Sequence, residues 1–223
     1  VLRSEDQIDT AWAELGPAKS LIAESFVKFS REVSIIAVRG QDGDVKTWAL
    51  AENHHHNGIL SHSIVPAPNS TDLQPVAQDY ITRLLNHLNY VGVLTLELFV
   101  TEQGLYANEM ACRVHNSGHW SIEGAICSQF ENHIRAVAGL PLGATDVVRP
   151  TVMINIIGQH PKSEDVLALK GAHLHLYNKS ERAGRKLGHI TLMPNNRDDL
   201  TDLCRQLAKI LPVPLALTDD MNL

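Results

Sequence analysis

The sequence predicts an α+β fold whose main layer is an antiparallel sheet. The most specific indication is a β-hairpin, in which the apolar, β-branched run 91–100 is followed by a polar turn with Gly104 and a second extended run, 105–110. Two more extended runs joined by a Gly-containing turn indicate a meander, and apolar residues at helical spacing indicate a helix that packs on it. These patterns cover residues 32–40, 45–51 and 71–89.

The other patterns extend this sheet and add a smaller α+β unit after residues 146–150. Pro66 and Pro68 end one predicted strand, and Ser4 is a suitable N-cap for the first helix. Apolar residues on one face of 121–138 (Ile126, Phe130, Ile134 and Val137) predict a helix there. The remaining predicted strands are 21–27, 59–65, 151–158, 172–177 and 188–193, and the remaining predicted helices are 4–15 and 198–211.

Composition limits the kinds of partner. The 223 residues carry a net charge of −6 and 44% hydrophobic residues, as in a soluble globular protein, and no basic stripe suits a nucleic-acid surface. No apolar run is long enough to span a membrane. The three cysteines lack metal-ligand spacing, which favours a reducing, cytoplasmic location.

The predicted hairpin carries an acidic residue on each strand, Glu97 and Glu109. A carboxylate in an apolar strand is costly to bury unless it is paired or bound to a cation. Mg²⁺ prefers carboxylate oxygens and usually takes one or two of them from protein. Strand pairing would bring these two acids together, so they are candidate Mg²⁺ ligands; the alternative is that each Glu faces solvent.

A run of hydrogen-bonding groups, Arg113-Val114-His115-Asn116-Ser117-Gly118-His119-Trp120, follows the second acid directly. Two other polar runs are candidates for binding chemistry. In the tract 54–56, three adjacent histidines of an extended segment alternate faces and cannot converge on one ion, so a solvated or nucleotide-edge loop is the preferred interpretation over a zinc site. The loop 179–189 carries basic residues suited to phosphate, with a solvated turn as the alternative.

Two motifs carry a resemblance to a known family. They are N-E-M-A-C-R-V-H-N-S-G-H-W at residues 108–120 and S-Q-F-E-N-H-I-R-A-V-A-G-L-P-L-G at residues 128–143. Together they resemble the signature of N5-carboxyaminoimidazole ribonucleotide synthetases, the ATP-grasp ATPase subunits of phosphoribosylaminoimidazole carboxylase in purine biosynthesis. The resemblance runs to about Leu211. Cys112 stands where the family usually has Pro, which removes no chemically active group.

The resemblance implies a fold, a nucleotide site and a metal. The chain would comprise the end of the ATP-grasp small lobe (residues 1–20), the large lobe (21–145) and a small C-terminal domain (146–223). ATP would bind with Mg²⁺ held by Glu97 and Glu109. Glu32 would bind the ribose hydroxyls, although without the resemblance it would be taken as a surface charge at a strand end. The other implied ATP-binding residues are Glu24, Ser25, Phe26 and Val27, whose backbone would hold adenine, together with His55 and Asn108.

The resemblance also implies a reaction, in which ATP drives transfer of bicarbonate to 5-aminoimidazole ribonucleotide through carboxyphosphate. Arg113 would offset negative charge, His115 and Asn116 would orient the substrates, and His115 would also manage a proton. The implied catalytic or substrate-binding set is completed by Ser117, Lys179, Arg185 and Lys186, with the choice between the last two open for the substrate's phosphate. A homodimer is implied as well.

Two alternatives remain at this stage. One is another ATP-grasp purine ligase, such as a formate-dependent transformylase, against which R-V-H-N-S-G-H-W argues. The other is a nucleotide-binding fragment without turnover, because the resemblance places the N-terminal αβα domain and part of the small lobe upstream of Val1. The expectation is that the chain alone is inactive while a longer parent protein is active.

Overall fold

Nine antiparallel strands form a single sheet in the computed structural model, which describes residues 1–16 and 20–213. The strand order is β6-β5-β1-β3-β4-β7-β9-β8, with β2 paired to β1. The strands are β1 Arg31–Arg39, β2 Val45–Thr47, β3 Ala51–His56, β4 Ile59–Val65, β5 Gly92–Thr101, β6 Gly104–Ala111, β7 Thr151–Ile157, β8 Ala172–Leu176 and β9 Lys186–Leu192.

The described residues form six helices, and short 3-10 turns occur at Glu5–Gln7 and Asn116–Gly118. Within the described residues, none of the helices has the length and apolar character that crossing a membrane requires. The helices are α1 Ile8–Leu15, α2 Leu73–Leu88, α3 Ser121–Gly124, α4 Gln129–Val137, α5 Ser163–Leu167 and α6 Arg197–Ile210.

Alternation along the central strand β1 divides the core into two layers. Ile35 packs in the layer that includes Ile81 and Leu85 of α2, whereas Ile36 packs in the layer that includes Trp120. Successive side chains of a strand point to opposite faces, so one apolar strand supports a helical layer on each side. A third cluster covers the C-terminal strands, where Leu200, Leu203 and Leu207 of α6 are buried.

The sheet continues without interruption across the predicted boundary at residues 146–150. Strand β4 pairs with β7 over four register positions, from His62↔Ile154 to Val65↔Thr151. The division of the chain into three parts therefore stays a prediction. In that division, the large lobe and the C-terminal domain would share one sheet. Residues 17–19 and 214–223 lie outside the described residues.

Two strand predictions were wrong. Residues 21–27 form no strand, because strands are stabilised by a hydrogen-bonded neighbour and this segment has none in the described chain. The predicted strand 45–51 ends at Thr47, since the backbone of Leu50 instead donates to the side chain of Gln74 on α2. The histidine tract, interpreted as a loop, lies in strand β3. Lys186, predicted to lie within the loop 179–189, is the first residue of β9.

The predicted helix 121–138 is two helices, α3 and α4. Ala125 is extended and bridges to Val147, and Ser128 then caps α4 by accepting from the backbone N–H of Glu131 at 3.1 Å. The expected apolar face of α4 points outward, with Ile134 64% exposed, while Gln129 and Asn132 are completely buried. On α2, Ala77, Ile81 and Leu85 are buried against the sheet, whereas the apolar residues Val76, Tyr80 and Leu88 are exposed.

Several histidines are buried in the sheet and its covering turns. His62 stacks on His54 at 4.4 Å between ring centroids, and His189 stacks on His175 at the same distance. Burial lowers the pKa of His62 to about 3, that of His189 to about 3 and that of His119 to about 4. These three side chains are therefore uncharged in the folded chain at neutral pH.

We expect the free energy of unfolding to fall as the pH is lowered below about 6.5. Between that value and the lowered pKa, the unfolded chain binds protons at His62, His119 and His189 that the folded chain does not, so each histidine subtracts at most about 1.4 kcal/mol per pH unit. Urea titrations between pH 7 and pH 5 measure the loss. The exposed His56 provides the control, because His56→Gln should leave the pH dependence unchanged whereas His189→Phe should reduce it; equal stability at both pH values would contradict the expectation.

Candidate active site

The two acids of the hairpin face each other across neighbouring strands. Glu97 of β5 and Glu109 of β6 are register partners, and register partners share a face of the sheet. The register then shifts so that Leu98 pairs with Ala107, which leaves Asn108 as the extra residue of a bulge. Burial raises the pKa of the Glu97 carboxyl, and the charges of Glu109 and Glu32 raise it further.

The turn after β6 is held against the core by Gln129 of α4. The side chain of Gln129 accepts from the backbone N–H of His115 at 2.9 Å and donates to the carbonyl of His115 at 2.7 Å. Gly118 is required here, because a Cβ at that position would collide with Ile36 and with the amide of Gln129. The motif thus needs glycine for close packing of the turn on the sheet.

A buried hydrogen-bond chain sets the orientation of His115. Ser34 Oγ donates to Ser117 Oγ at 2.9 Å, and Ser117 Oγ lies 2.9 Å from His115 Nδ1, which also accepts from the Ser117 backbone. This arrangement leaves the proton on Nε2, which lies 3.6 Å from Glu97 Oε1. Burial, with Arg113 and Lys186 nearby, lowers the pKa of His115 to about 4, so the ring is neutral at physiological pH.

Asn116 connects the turn to the C-terminal strands. Its Oδ1 accepts from Lys186 Nζ at 2.8 Å and from Asn155 Nδ2 at 2.7 Å, and its Nδ2 donates to Asn155 Oδ1 at 2.9 Å. Burial lowers the pKa of Lys186, although Glu97 opposes this effect. Asn155 was missed by sequence reasoning; the signal was one amide in the otherwise apolar run that forms β7.

These groups line one open cleft of about 430 Å³. The carboxylates of Glu97 and Glu109 line the cleft from the hairpin, and Lys186 lines it from β9. The cleft therefore contains both negative and positive side chains. Such a cleft can hold a polyanion together with cations. Its charged and polar lining residues are His55, Glu97, Glu109, Arg113, His115, Asn116 and Lys186.

One histidine of the tract joins the acids. His55 Nδ1 lies 3.4 Å from Glu32 Oε2, and donor atoms of Glu32, His55 and Glu97 all lie within 4.8 Å of one another. His54 stacks on His62 instead, and His56 is exposed. The prediction that three adjacent histidines cannot converge on one point is confirmed by this alternation.

Other predicted site residues lie elsewhere in the described structure. Ser117 is completely buried below the cleft, Lys179 lies over the ring of Tyr177 at 5.2 Å, and Arg185 donates to Ser180 Oγ at 3.0 Å. Glu24, Ser25 and Phe26 are exposed, and Val27 lines a separate cleft of about 630 Å³ beside the tip of the hairpin. Of the two neighbouring basic residues, the structure therefore brings Lys186, and not Arg185, to the acids.

Comparison with family models and curated relatives agrees with the geometry. Residues 1–130 match the ATP-grasp domain, and residues 151–202 match the phosphoribosylaminoimidazole carboxylase C-terminal domain. The chain is 47% identical over 216 residues to N5-carboxyaminoimidazole ribonucleotide synthase of Vibrio parahaemolyticus, a match that covers 94% of the chain and 57% of that relative. The chain thus spans between one half and three fifths of the length of the relatives it matches.

Solved structures show the same likeness. The N5-carboxyaminoimidazole ribonucleotide synthetase of Thermus thermophilus superposes with a TM-score of 0.90 at 48% identity, over 95% of this chain and 59% of that one. The Aspergillus clavatus N5-carboxyaminoimidazole synthase in complex with ADP and 5-aminoimidazole ribonucleotide gives 0.77 at 30% identity, over 83% of this chain and 52% of that one. With its family model matched over more than half its length, the chain belongs to the ATP-grasp family of ligases, and its relatives within that family are N5-carboxyaminoimidazole ribonucleotide synthases.

Proposed function

We propose that the protein carrying this chain catalyses the ATP-dependent carboxylation of 5-aminoimidazole ribonucleotide by bicarbonate, in purine biosynthesis. The observation that carries the proposal is the cleft in which the Glu97–Glu109 pair faces the Arg113–Asn116 turn and Lys186. The relatives named above supply the substrate class, and the long motif at residues 108–120 lines this same cleft.

The acidic pair fits Mg²⁺. Within the described chain, neither Glu97 nor Glu109 has a Lys or Arg nitrogen within 4.0 Å, and Glu97 is only 13% exposed at its side chain. Glu109 beside it is exposed to the open side of the cleft, and carboxylates without a cationic partner are suitable ligands for a hard divalent cation. When bound, Mg²⁺ would neutralise phosphate charge, and Asn108, presented by the bulge beside Glu109, would complete the metal or phosphate shell.

For the nucleotide, we propose that ATP binds between the hairpin and the segment before β1. Support comes from Phe29, which stacks on Phe99 at 4.3 Å between ring centroids, and from Val27, which lines a cleft with residues of the hairpin tip. We propose that the segment Glu24–Val27 lies along this side of the nucleotide. Its backbone would hold adenine, and Glu32, with His55 beside it, would face the ribose. Support comes from the position of Glu32, which lies on β1 near Glu97.

For the reaction, we propose two steps. An oxygen of bicarbonate attacks the γ-phosphorus of ATP and forms carboxyphosphate, and ADP leaves as the bond to the γ-phosphorus breaks. The exocyclic amine of the ribonucleotide then attacks the carboxyl carbon; the bond between that carbon and the bridging oxygen breaks, phosphate leaves with this oxygen, and the nitrogen loses a proton to solvent. Arg113 and Lys186 would offset the anionic charge, and the Nε2–H of His115 would donate a hydrogen bond to a substrate oxygen. With its pKa near 4, His115 would act as a neutral donor rather than as a cationic acid in the nucleotide-free protein.

The remaining expectations concern assembly and location. We propose a homodimer, supported by the apolar side chains that α4 and the segments on either side of it leave exposed: Ile126, Ile134, Val137 and Leu140 are each more than half exposed. A cytoplasmic location fits the three free cysteines. For Lys179 and Arg185 we retain the proposal that their loop contacts the ribonucleotide, with Ser117 positioning His115 from below.

Replacing Glu109 by Gln should reduce turnover by at least about 100-fold, because the amide keeps the shape of the carboxylate but cannot balance a bound cation's charge. The variant is made in a protein of the relatives' full length that contains this chain, and ADP formation is measured with bicarbonate and aminoimidazole ribonucleotide present. Glu131→Gln is the control, since Glu131 lies on α4 in an exposed pair with Arg135.

Unchanged turnover of Glu109→Gln, with an unchanged unfolding midpoint, would remove Glu109 from the metal shell. The same assay separates the proposed reaction from that of a transformylase. ADP formation that requires formate and ignores bicarbonate would overturn the carboxylation proposal while leaving the ATP-grasp site in place.

Lys186 and its neighbour Arg185 form a matched pair. Lys186→Met should raise the KM for the ribonucleotide at least about tenfold, because it removes the cation that donates to Asn116 in the cleft. Arg185→Met should change that KM by less than about threefold, since Arg185 binds its own loop at Ser180. The reverse order of effects would assign the substrate contact to Arg185 and show that the loop rearranges when substrate binds.

A further inference from the structure

Three neighbouring strands bring an imidazole and two carboxylates together at the edge of the cleft, which His55 and Glu97 line. Glu97 stands on β5, Glu32 on β1 and His55 on β3, and these strands are adjacent in the order β5-β1-β3. One donor atom from each residue lies within 4.8 Å of the other two, and His55 Nδ1 lies 3.4 Å from Glu32 Oε2. Because all three side chains are borne by paired strands, the sheet fixes their spacing.

The charges of this trio are not balanced within the described chain. Among residues 1–16 and 20–213, the only ionic partner of Glu32 within 4.0 Å is His55, and the only one of Glu97 is His115. Side-chain exposure is 22% for Glu32 and 13% for Glu97, so both carboxylates are largely removed from water. Such groups are stabilised by a bound cation more than carboxylates on an open surface would be.

The donor set selects the kind of cation. Mg²⁺ prefers an all-oxygen shell, whereas an imidazole nitrogen with carboxylate oxygens suits Zn²⁺ and its first-row neighbours. The set Glu32–His55–Glu97 is therefore distinct from the all-oxygen pair Glu97–Glu109, although the two share Glu97.

We propose that the nucleotide-free protein binds one first-row divalent transition metal ion, such as Zn²⁺, through Glu32, His55 and Glu97. Because Glu97 is common to both sets, occupation by this ion and coordination of Mg²⁺-nucleotide by the Glu97–Glu109 pair exclude each other. This inference goes beyond the proposed ligase reaction, which does not need the His55 nitrogen as a metal ligand.

The test is calorimetric titration of the nucleotide-free protein with Zn²⁺, in a background of millimolar Mg²⁺. One equivalent should bind, and His55→Gln and Glu32→Gln should each weaken the Kd at least about tenfold. Two variants serve as controls. His56→Gln removes a neighbouring, exposed histidine, and Glu109→Gln removes the acid that belongs only to the Mg²⁺ pair; neither should change the Kd for Zn²⁺ by more than about twofold.

Co²⁺ provides a spectroscopic readout of the same site. A visible d–d absorption band should appear on titration and should be lost in His55→Gln but not in His56→Gln. Equal weakening by both histidine variants would show binding by the exposed tract, and no binding above the Mg²⁺ background would show that no such site exists; either result overturns the inference. These two binding results say nothing about turnover. Conversely, a protein that is inactive in the ADP-formation assay but still binds Zn²⁺ through His55 would contradict only the proposed reaction.

Discussion

The register between β5 and its two neighbours is the constraint on which the site depends. Glu97 pairs with Glu109 on one side and with Ser34 on the other, and Glu32 lies two residues before Ser34 on the same face of β1. Side chains alternate with a period of two, so a slip of one residue would turn these acids into the apolar layer under α2. The burial of Val33, Ile35 and Leu98 on the opposite face therefore fixes the position of the carboxylates as firmly as it fixes the core.

The same sheet also determines which distant groups can reach the acids. Because β4 pairs with β7 and β7 with β9, the chain after residue 150 continues the same sheet and reaches the turn that follows β6. Asn155 on β7 and Lys186 on β9 then meet Asn116 through three hydrogen bonds of 2.7–2.9 Å. This network joins the ATP-grasp region to the C-terminal domain region through side chains. A substitution at Asn155 or Lys186 should therefore change the position of Asn116.

Local patterns in the sequence predicted the hairpin, the strands that flank it and the approach of Glu97 to Glu109, since alternation and a Gly turn act over a few residues. They failed where long-range partners decide the outcome. Gln129 and Asn132 point inward because they bond the backbones of His115 and Gly143, which no helical periodicity could reveal, and α4 consequently exposes its apolar side. Asn155 and the choice of Lys186 over Arg185 likewise depend on strand pairing across the sheet.

The carboxylate charge of Glu97 is not neutralised by the basic side chains near it, which favours cation binding in the cleft. His115 could have neutralised Glu97 by protonation, but burial and the neighbouring Arg113 and Lys186 keep its pKa near 4, and Ser117 directs its one proton toward the cleft. Lys186 is directed to Asn116 and not to a carboxylate. His115 is thus uncharged and Lys186 is engaged by a neutral amide, while burial and the charges of Glu109 and Glu32 keep the pKa of the Glu97 carboxyl raised. A bound divalent cation would lower that pKa. A site that instead paired its acids with its own arginines and lysines would be more stable when empty and less able to bind a metal–phosphate ligand.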